Sequence, residues 1–144
     1  MTTDLPEGRL QRLIDANLNR LKEGLRVLED TRRYLYDDRD SSQRFKALRH
    51  SLQKAYDPSR LHYRDIRNDV LKKSIESEMR RENLQSLVIA NFSRTQESAR
   101  VLEEAYKLVD PSLSSLFKEL RYELYDLERE LLGSNEAKSS SNSR

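Results

Sequence analysis

Residues 16–29 read ANLNRLKEGLRVLE, and residues 90–103 read ANFSRTQESARVLE. Eight of the 14 positions are identical at an offset of 74 residues. The identical positions include a polar series of Asn, Arg, Glu, Arg and Glu at steps of three, whereas the positions Leu21/Thr95 and Leu25/Ala99 differ. A duplication that maintained only a core would keep the apolar positions, so the polar series needs its own explanation.

The repeat continues beyond this stretch, because residues 45–49 (FKALR) return as residues 117–121 (FKELR) at an offset of 72. Each half is therefore predicted to be a long helix, a turn and a second helix. Two copies with so long a period indicate a duplicated hairpin rather than a solenoid. We expect an all-α fold, a four-helix bundle with internal pseudo-twofold symmetry.

Apolar residues at three- and four-residue spacing predict the helices. The first is expected over residues 10–36, the second from the Asp-rich break at 37–42 to about residue 56, and the fourth from Asp110-Pro111 to about residue 132. The third carries the second copy and starts as early as Ile75. Asp before Pro and a C-cap at Gly133 are the expected boundary signals. The expected core stripe of the first helix is Ile14, Leu18, Leu21, Leu25, Leu28 and Leu35.

The domain organisation follows from these helices. We predict an N-terminal extension at residues 1–9 and a single helical domain at residues 10–133. The domain holds repeats at about 10–56 and 84–132 and a connecting segment at 57–83. The Ser-rich residues 134–144 are predicted to be a disordered tail.

The composition is that of long helices with charged outer faces, since 36% of the residues are charged and only 3 Gly and 3 Pro occur. There is no Cys, hence neither a disulfide nor a thiolate nucleophile. No apolar run approaches the length of a membrane span, and the N-terminus lacks the regions of a signal peptide. We expect a cytoplasmic protein with no membrane partner.

The duplicated polar series has two interpretations. Neighbours such as Arg20 and Glu23, Glu23 and Arg26, and Arg26 and Glu29 could form weak ion pairs on a solvated helix face. Such pairs are easily exchanged for others, which gives little reason for the two copies to match. A polar pocket between the halves, with its arginines facing an anion such as phosphate, explains the match better. The arginines of the series are Arg20, Arg26, Arg94 and Arg100.

The connecting segment has no repeat partner. It contains Arg64, Asp65 and Asp69. Taken alone it fits a charged surface linker, but two carboxylates four residues apart beside an arginine also suit Mg²⁺ next to a phosphate.

These motifs together resemble a known family. They are DANLNR at 15–20, EGLRVLED at 23–30, KALRH at 46–50, Arg64-Asp65 with Asp69-Val70, and the second copy to Glu104. The chain resembles, over about residues 10–132, the helical hydroxymethylpyrimidine-phosphate kinases that occur alone or fused ahead of thiamine-phosphate synthase. The resemblance implies transfer of the ATP γ-phosphate to 4-amino-2-methyl-5-hydroxymethylpyrimidine monophosphate. It also implies poor use of the unphosphorylated pyrimidine, because arginines would then lack their partner.

Within the matched motifs we assign roles from chemistry. Phosphate contacts are expected from Arg20, Arg26, Arg64, Arg94 and Arg100. Pyrimidine contacts are expected from Asn17, Asn91, Glu23 or Glu97. Mg²⁺ would be held by Asp65 and Asp69, which with Arg64 form the expected catalytic group. Leu71 departs from the family pattern, which has Gly after Asp-Val, and this departure questions a close approach of the backbone to phosphate.

Two other functions remain open. The domain could be a noncatalytic helical partner of a separate thiamine enzyme, including thiamine-phosphate synthase. A weak RNA-binding module using Arg32, Arg33, Arg80 and Arg81 is the more remote alternative, because no basic stripe with exposed aromatics accompanies these residues. We therefore predict no nucleic-acid partner and leave open whether the chain forms a homodimer.

Overall fold

The computed structural model describes residues 7–73 and 80–133. The long helices of these residues are α1 (Glu7–Asp30), α2 (Arg39–Ser51), α3 (Leu84–Tyr106) and α4 (Pro111–Glu128). Short π-helical turns follow α1 and α4 at Thr31–Leu35 and Arg129–Gly133, and 3₁₀ turns lie at Leu52–Ala55 and Pro58–Tyr63. The described ranges contain no strand, so the all-α prediction is confirmed.

The helix starts are fixed by side-chain caps. The carboxylate of Asp38 accepts a hydrogen bond from the backbone N–H of Ser41 at 3.1 Å, and Asp110 caps α4 through Ser112 with Pro111 at the first position. The start of α3 differs from expectation. Asn83 forms a capping box with Ser86, so the helix begins at Leu84 rather than further back. Ile75 itself lies outside the described residues.

Each of the four long helices packs against at least one other. α1 packs against α3, α2 packs against α1, and α4 packs against α3. The buried core follows the predicted stripes, with Leu21, Leu25, Phe45, Phe92 and Leu124 all fully buried. The Phe45 and Phe92 rings lie 5.8 Å apart and join α2 to α3.

The crossing of α1 and α3 is close. A Cβ added to Gly24 would lie 2.5 Å from the Thr95 Cγ2. Thr95 is fully buried, and its hydroxyl donates to the Asn91 and Phe92 carbonyl oxygens. Gly24 is therefore required by the approach of α3, and not by a turn.

Several boundary predictions are corrected at the helix ends. Leu35 was expected in the core but is 63% exposed, because the chain leaves the α-helical phase at Asp30 and enters a π-helical turn. Gly133 ends the last π-helical turn and does not adopt the positive φ of a left-handed C-cap. Residues 7–9, expected in the N-terminal extension, belong to α1.

The predicted tail at residues 134–144 lies outside the described residues, as do residues 1–6. Among the helices that are described, none combines the length and apolar character needed to cross a membrane.

Candidate functional site

The asparagines of the duplicated series bond to their own helices. Asn17 is buried and Asn91 half-buried. The Asn17 Nδ2 donates to the Leu13 carbonyl at 3.0 Å, and the Asn91 Nδ2 donates to the Leu87 carbonyl at 2.9 Å. The two asparagines thus make the same local hydrogen bond. This bond satisfies one donor of each side-chain amide without a ligand.

The last glutamates of the series form buried ion pairs that the sequence analysis did not foresee. Glu29 is 2% exposed and accepts from the Arg49 Nε at 2.8 Å. Glu103 is similarly buried and accepts from the Arg121 Nη2 at 2.9 Å. Hydrogen bonding to Glu29 raises the pKa of Arg49. Each pair joins the two helices of one half, which explains why both copies keep these residues.

The signal for these pairs was present in the sequence. The glutamates match at an offset of 74 and the arginines at 72, the offsets of the two parts of the repeat. Matched acids and matched bases on paired helices were a hint of two equivalent ion pairs.

The second arginines of the series also have partners, though weaker ones. Arg26 Nε lies 3.5 Å from Asp30 Oδ1, and Arg100 Nε lies 3.3 Å from Glu104 Oε1. Both pairs are exposed and span i,i+4, so the predicted pairing of Arg26 with Glu29 is wrong. Glu29 is already bound by Arg49.

Arg20 and Arg94 are the members of the series that remain available. Both are exposed, and neither forms an ion pair within the described ranges 7–73 and 80–133. Glu23 and Glu97 are exposed as well, and Glu97 accepts from the Ser93 hydroxyl at 2.9 Å. The arginines of the series thus lie on the surface and do not line a closed pocket.

The connecting segment is fixed along the first half of α1. The Arg64 Nε and Nη2 donate to the two carboxylate oxygens of Asp15, each at 2.8 Å. The Arg12 Nη2 donates to the Asp65 carbonyl at 2.8 Å. Hydrogen bonding to Asp15 raises the pKa of Arg64, with a further contribution from the charge of nearby Glu23. The structure therefore pairs Arg64 with Asp15, the first residue of the DANLNR motif.

The two acids of the segment shape its turns. Asp65 accepts from the Asn68 side chain at 2.8 Å and from the Asn68 backbone N–H at 3.1 Å, and these bonds lower the pKa of Asp65. Asp69 accepts from the Leu71 backbone N–H at 2.9 Å. Leu71 does not have a positive φ. Its backbone conformation therefore does not require the glycine that the family pattern has at this position.

The donor chemistry of these acids fits Mg²⁺. Ionised carboxylates are hard oxygen ligands, and Mg²⁺ commonly takes one or two of them together with water and phosphate oxygens. No group of three His, Cys, Asp or Glu side chains in the described parts of the chain could hold a metal. Any metal at Asp65 and Asp69 would therefore depend on water and phosphate for its other ligands.

A cleft of about 340 Å³ lies on the outer side of α3 and α4. The predicted residues Glu97 and Arg100 line it, together with Ser93, Gln96 and Tyr125. The matching residues of the first half, Glu23 and Arg26, lie on α1, against which the connecting segment packs. Equivalent residues of the two halves therefore have different surroundings.

A second cleft, of about 320 Å³, lies between the end of α1 and the start of α2. Its lining includes Arg33, Arg39 and Lys46, and the buried Glu29 is at its edge. Of these cations, only Arg33 had an expected role, as an RNA-binding candidate. Arg32, its neighbour in that prediction, is instead paired with Asp38 at 2.7 Å.

Comparisons with known proteins agree on one group of relatives. Residues 12–130 match the ThiD2 family. The thiamine-phosphate synthase of Synechocystis sp. (strain PCC 6803) is 40% identical over 126 residues, covering 87% of this chain and 37% of its own length. Those of Nostoc punctiforme and Thermosynechococcus vestitus are 37% and 40% identical, over 85% of this chain and 35% of their own lengths.

The chain therefore spans little more than a third of these relatives. No solved structure matches it. The match to the family extends over both copies of the duplicated series and the connecting segment between them. This chain belongs to the ThiD2 family.

Proposed function

We propose that this chain is a kinase of thiamine biosynthesis. It transfers the γ-phosphoryl group of ATP to 4-amino-2-methyl-5-hydroxymethylpyrimidine monophosphate and releases the diphosphate and ADP. Membership of the ThiD2 family and relatives that are called thiamine-phosphate synthase support a place in this pathway. The diphosphate is the pyrimidine substrate of such a synthase, so the two activities would be consecutive.

The observation that carries this proposal is the junction of the connecting segment with α1. Arg64 donates to both carboxylate oxygens of Asp15, which lies two residues before Asn17 on α1. The connecting segment is thereby held against the helix that carries the first copy of the duplicated series. A surface of cations and carboxylates suits a phosphorylated aminopyrimidine, whose phosphate accepts hydrogen bonds and whose amino group donates them.

The chemistry requires little from the protein beyond position and charge. The attacking atom is an oxygen of the acceptor phosphate, and a phosphate monoester with a second pKa near 6 is largely ionised at neutral pH. A bond forms between this oxygen and the γ-phosphorus, and the bond from that phosphorus to the bridging oxygen of ADP breaks. No side chain need remove a proton, and arginines stabilise the charge on the phosphoryl oxygens.

The described cations provide candidates for this role. Arg20 and Arg94 are exposed and make no ion pair with the described residues, so their charge is available to the acceptor phosphate. Arg26 and Arg100 would exchange their weak pairs with Asp30 and Glu104 for a phosphate contact. Asp65 and Asp69 would hold Mg²⁺, which supplies neutralisation of phosphate charge when bound.

We infer that the fold beneath this site is a four-helix bundle made from two duplicated hairpins. Equivalent amide bonds at Asn17 and Asn91 support the duplication. Equivalent ion pairs of Glu29 and Glu103 support it as well. We place the activity in the cytoplasm, because ATP and Mg²⁺ are supplied there and the chain has no Cys.

The proposal is tested by alanine substitutions at Arg20 and Arg94. Each should lower kcat/KM for the pyrimidine monophosphate by at least about tenfold, since a charge-assisted hydrogen bond contributes roughly 1.5–3 kcal/mol. Arg129→Ala is the matched control, because Arg129 is an exposed arginine with only a long pair to Asp126. Equal activity in all three variants would contradict the assignment.

The noncatalytic alternative is separated by the same variants. A helical partner that only docks onto thiamine-phosphate synthase would keep its affinity for that enzyme in Arg20→Ala and Arg94→Ala, and the wild type would show no turnover of its own. That combination, in a chain whose circular dichroism shows it folded, would overturn the kinase proposal.

A further inference from the structure

The cleft between α1 and α2 has an uneven charge distribution. It is lined by the cations Arg33, Arg39 and Lys46 and by acids that include Glu29 and Asp38. Glu29 is bound by Arg49 at 2.8 Å and Asp38 by Arg32 at 2.7 Å, and neither of these arginines lines the cleft. The negative charges of Glu29 and Asp38 are therefore already neutralised by arginines that do not line the cleft.

Among the residues that line the cleft, this leaves one acid without an arginine partner, Asp37, and three cations. Arg33, Arg39 and Lys46 form no ion pair within residues 7–73 and 80–133, although Arg33 lies 5.0 Å from the centre of the Tyr34 ring. All three are exposed and line the cleft. Clustered cations without internal partners attract an anion of more than one charge.

This cluster is only partly shared with the second half of the chain. At the positions equivalent to Arg39 and Lys46, 72 residues later, the chain has Pro111 and Lys118. The position 74 residues after Arg33 is Lys107, which is paired with Glu104 at 2.9 Å. At these three positions the second half therefore keeps one cation without an ion pair to the described residues, Lys118. The first half has three.

The cleft also has a suitable place and size. Its residues Glu29 and Arg33 follow Arg26 on the same chain by three and seven positions. At about 1.5 Å per residue, they lie roughly 5 and 10 Å beyond Arg26 along the helix. A cleft of about 320 Å³ is at the lower end of small-ligand sites.

We propose that the α1–α2 cleft binds the phosphate chain of a nucleoside triphosphate through Arg33, Arg39 and Lys46. This inference rests on the proposed kinase function and assigns the phosphoryl donor to the first half of the chain. The acceptor then lies beside it, toward Arg26 and Glu23 on the same helix and Arg64 of the connecting segment. The base of the nucleotide contributes less to recognition than the phosphates, since the cations are the distinguishing feature of the cleft.

The test is calorimetric titration of the full chain with ATP, inorganic tripolyphosphate, inorganic phosphate and adenosine. ATP and tripolyphosphate should bind, and adenosine should not. Arg39→Gln and Lys46→Gln should each weaken tripolyphosphate binding by about tenfold or more. Lys118→Gln is the matched control at the equivalent position of the second half, and its affinity should equal that of the wild type.

Three results would overturn the inference. They are equal tripolyphosphate affinity in the wild type and in the Arg39→Gln/Lys46→Gln double variant, binding of adenosine as tight as that of ATP, and binding of single phosphate as tight as that of tripolyphosphate. The last result would identify a site for free phosphate instead of a phosphate chain. Unchanged circular dichroism and urea midpoints in the variants exclude unfolding as the cause of lost binding.

The outcome is separable from that of the proposed function. If the chain shows no kinase activity but tripolyphosphate binding is lost in Arg39→Gln, the cleft assignment stands and the kinase proposal fails. If the chain is an active kinase and the KM for ATP is unchanged in both cleft variants, the kinase proposal stands and the cleft assignment fails.

Discussion

Removal of the Glu29 carboxylate should destabilise the fold strongly although this residue belongs to the predicted ligand-binding series. Glu29 is 2% exposed and the Arg49 side chain 16% exposed, so Glu29→Ala leaves a largely buried guanidinium without its partner. Breaking a buried ion pair in this way costs about 3–5 kcal/mol, and the residual exposure of Arg49 favours the lower end. With a urea m value of roughly 2 kcal/mol/M, the unfolding midpoint should fall by about 1.5 M.

Two further variants test the reasoning. Glu103→Ala should produce a similar loss, because Arg121 has an equivalent buried position. Replacing both partners, as in Glu29→Leu/Arg49→Leu, should recover much of the stability, since no unpaired charge is left. The assay is equilibrium urea denaturation followed by circular dichroism at 222 nm.

The control is Arg26→Ala on the same helix. Its pair with Asp30 is about half exposed on both sides, so the loss should be no more than about 0.5 kcal/mol. A midpoint shift in Glu29→Ala no larger than that in Arg26→Ala would refute the structural role of the Glu29 pair. The matched glutamates would then need a ligand to explain them.

Three other predictions concern the scaffold and the connecting segment. Gly24→Ala should lower the free energy of unfolding by about 1–3 kcal/mol because its Cβ would lie 2.5 Å from the Thr95 Cγ2, and adding Thr95→Ser, which removes that methyl, should restore most of the loss in urea denaturation. Burial tends to raise the pKa of Asp38, but hydrogen bonds from Ser41 and Arg32 outweigh it and the folded-state pKa is below 3.8. Asp38→Asn should therefore be less stable than the wild type above about pH 5, and the difference should shrink as the pH falls through the folded pKa; a difference that does not shrink on acidification would contradict this. Arg64→Ala and Asp15→Ala should each increase hydrogen exchange in residues 64–73, and the double variant should increase it no further, because both remove the same contact.

Two helix starts were predictable because a local signal fixes them. Asp38 and Asp110 accept from backbone N–H groups within a few residues, and Pro111 can occupy the first helical turn at no cost in hydrogen bonds. The expected position of Leu35 was wrong because a π-helical turn changes the helical phase, and nothing in the apolar spacing of Leu25 and Leu28 announces that turn.

The site was only partly predictable from the sequence. The match of Glu29 with Glu103 is visible in the sequence, but the arginines that bind them lie on α2 and α4, and their distances depend on how these helices pack against α1 and α3. The burial and the ion pairing of these side chains depend on tertiary packing. They cannot be deduced from the periodicity along one helix. Arg39 was missed because it falls outside the repeat, and Lys46 was missed because its match with Lys118 was taken as part of the scaffold.

The central claim is tested most directly by a phosphoryl-transfer assay on the purified chain. ATP and Mg²⁺ are supplied with the pyrimidine monophosphate and, in parallel, with the unphosphorylated pyrimidine, and the products are separated by chromatography. The account predicts that diphosphate and ADP form in equal amounts from the monophosphate and that the unphosphorylated pyrimidine is not converted. Failure of the folded chain to form diphosphate from the monophosphate would contradict it.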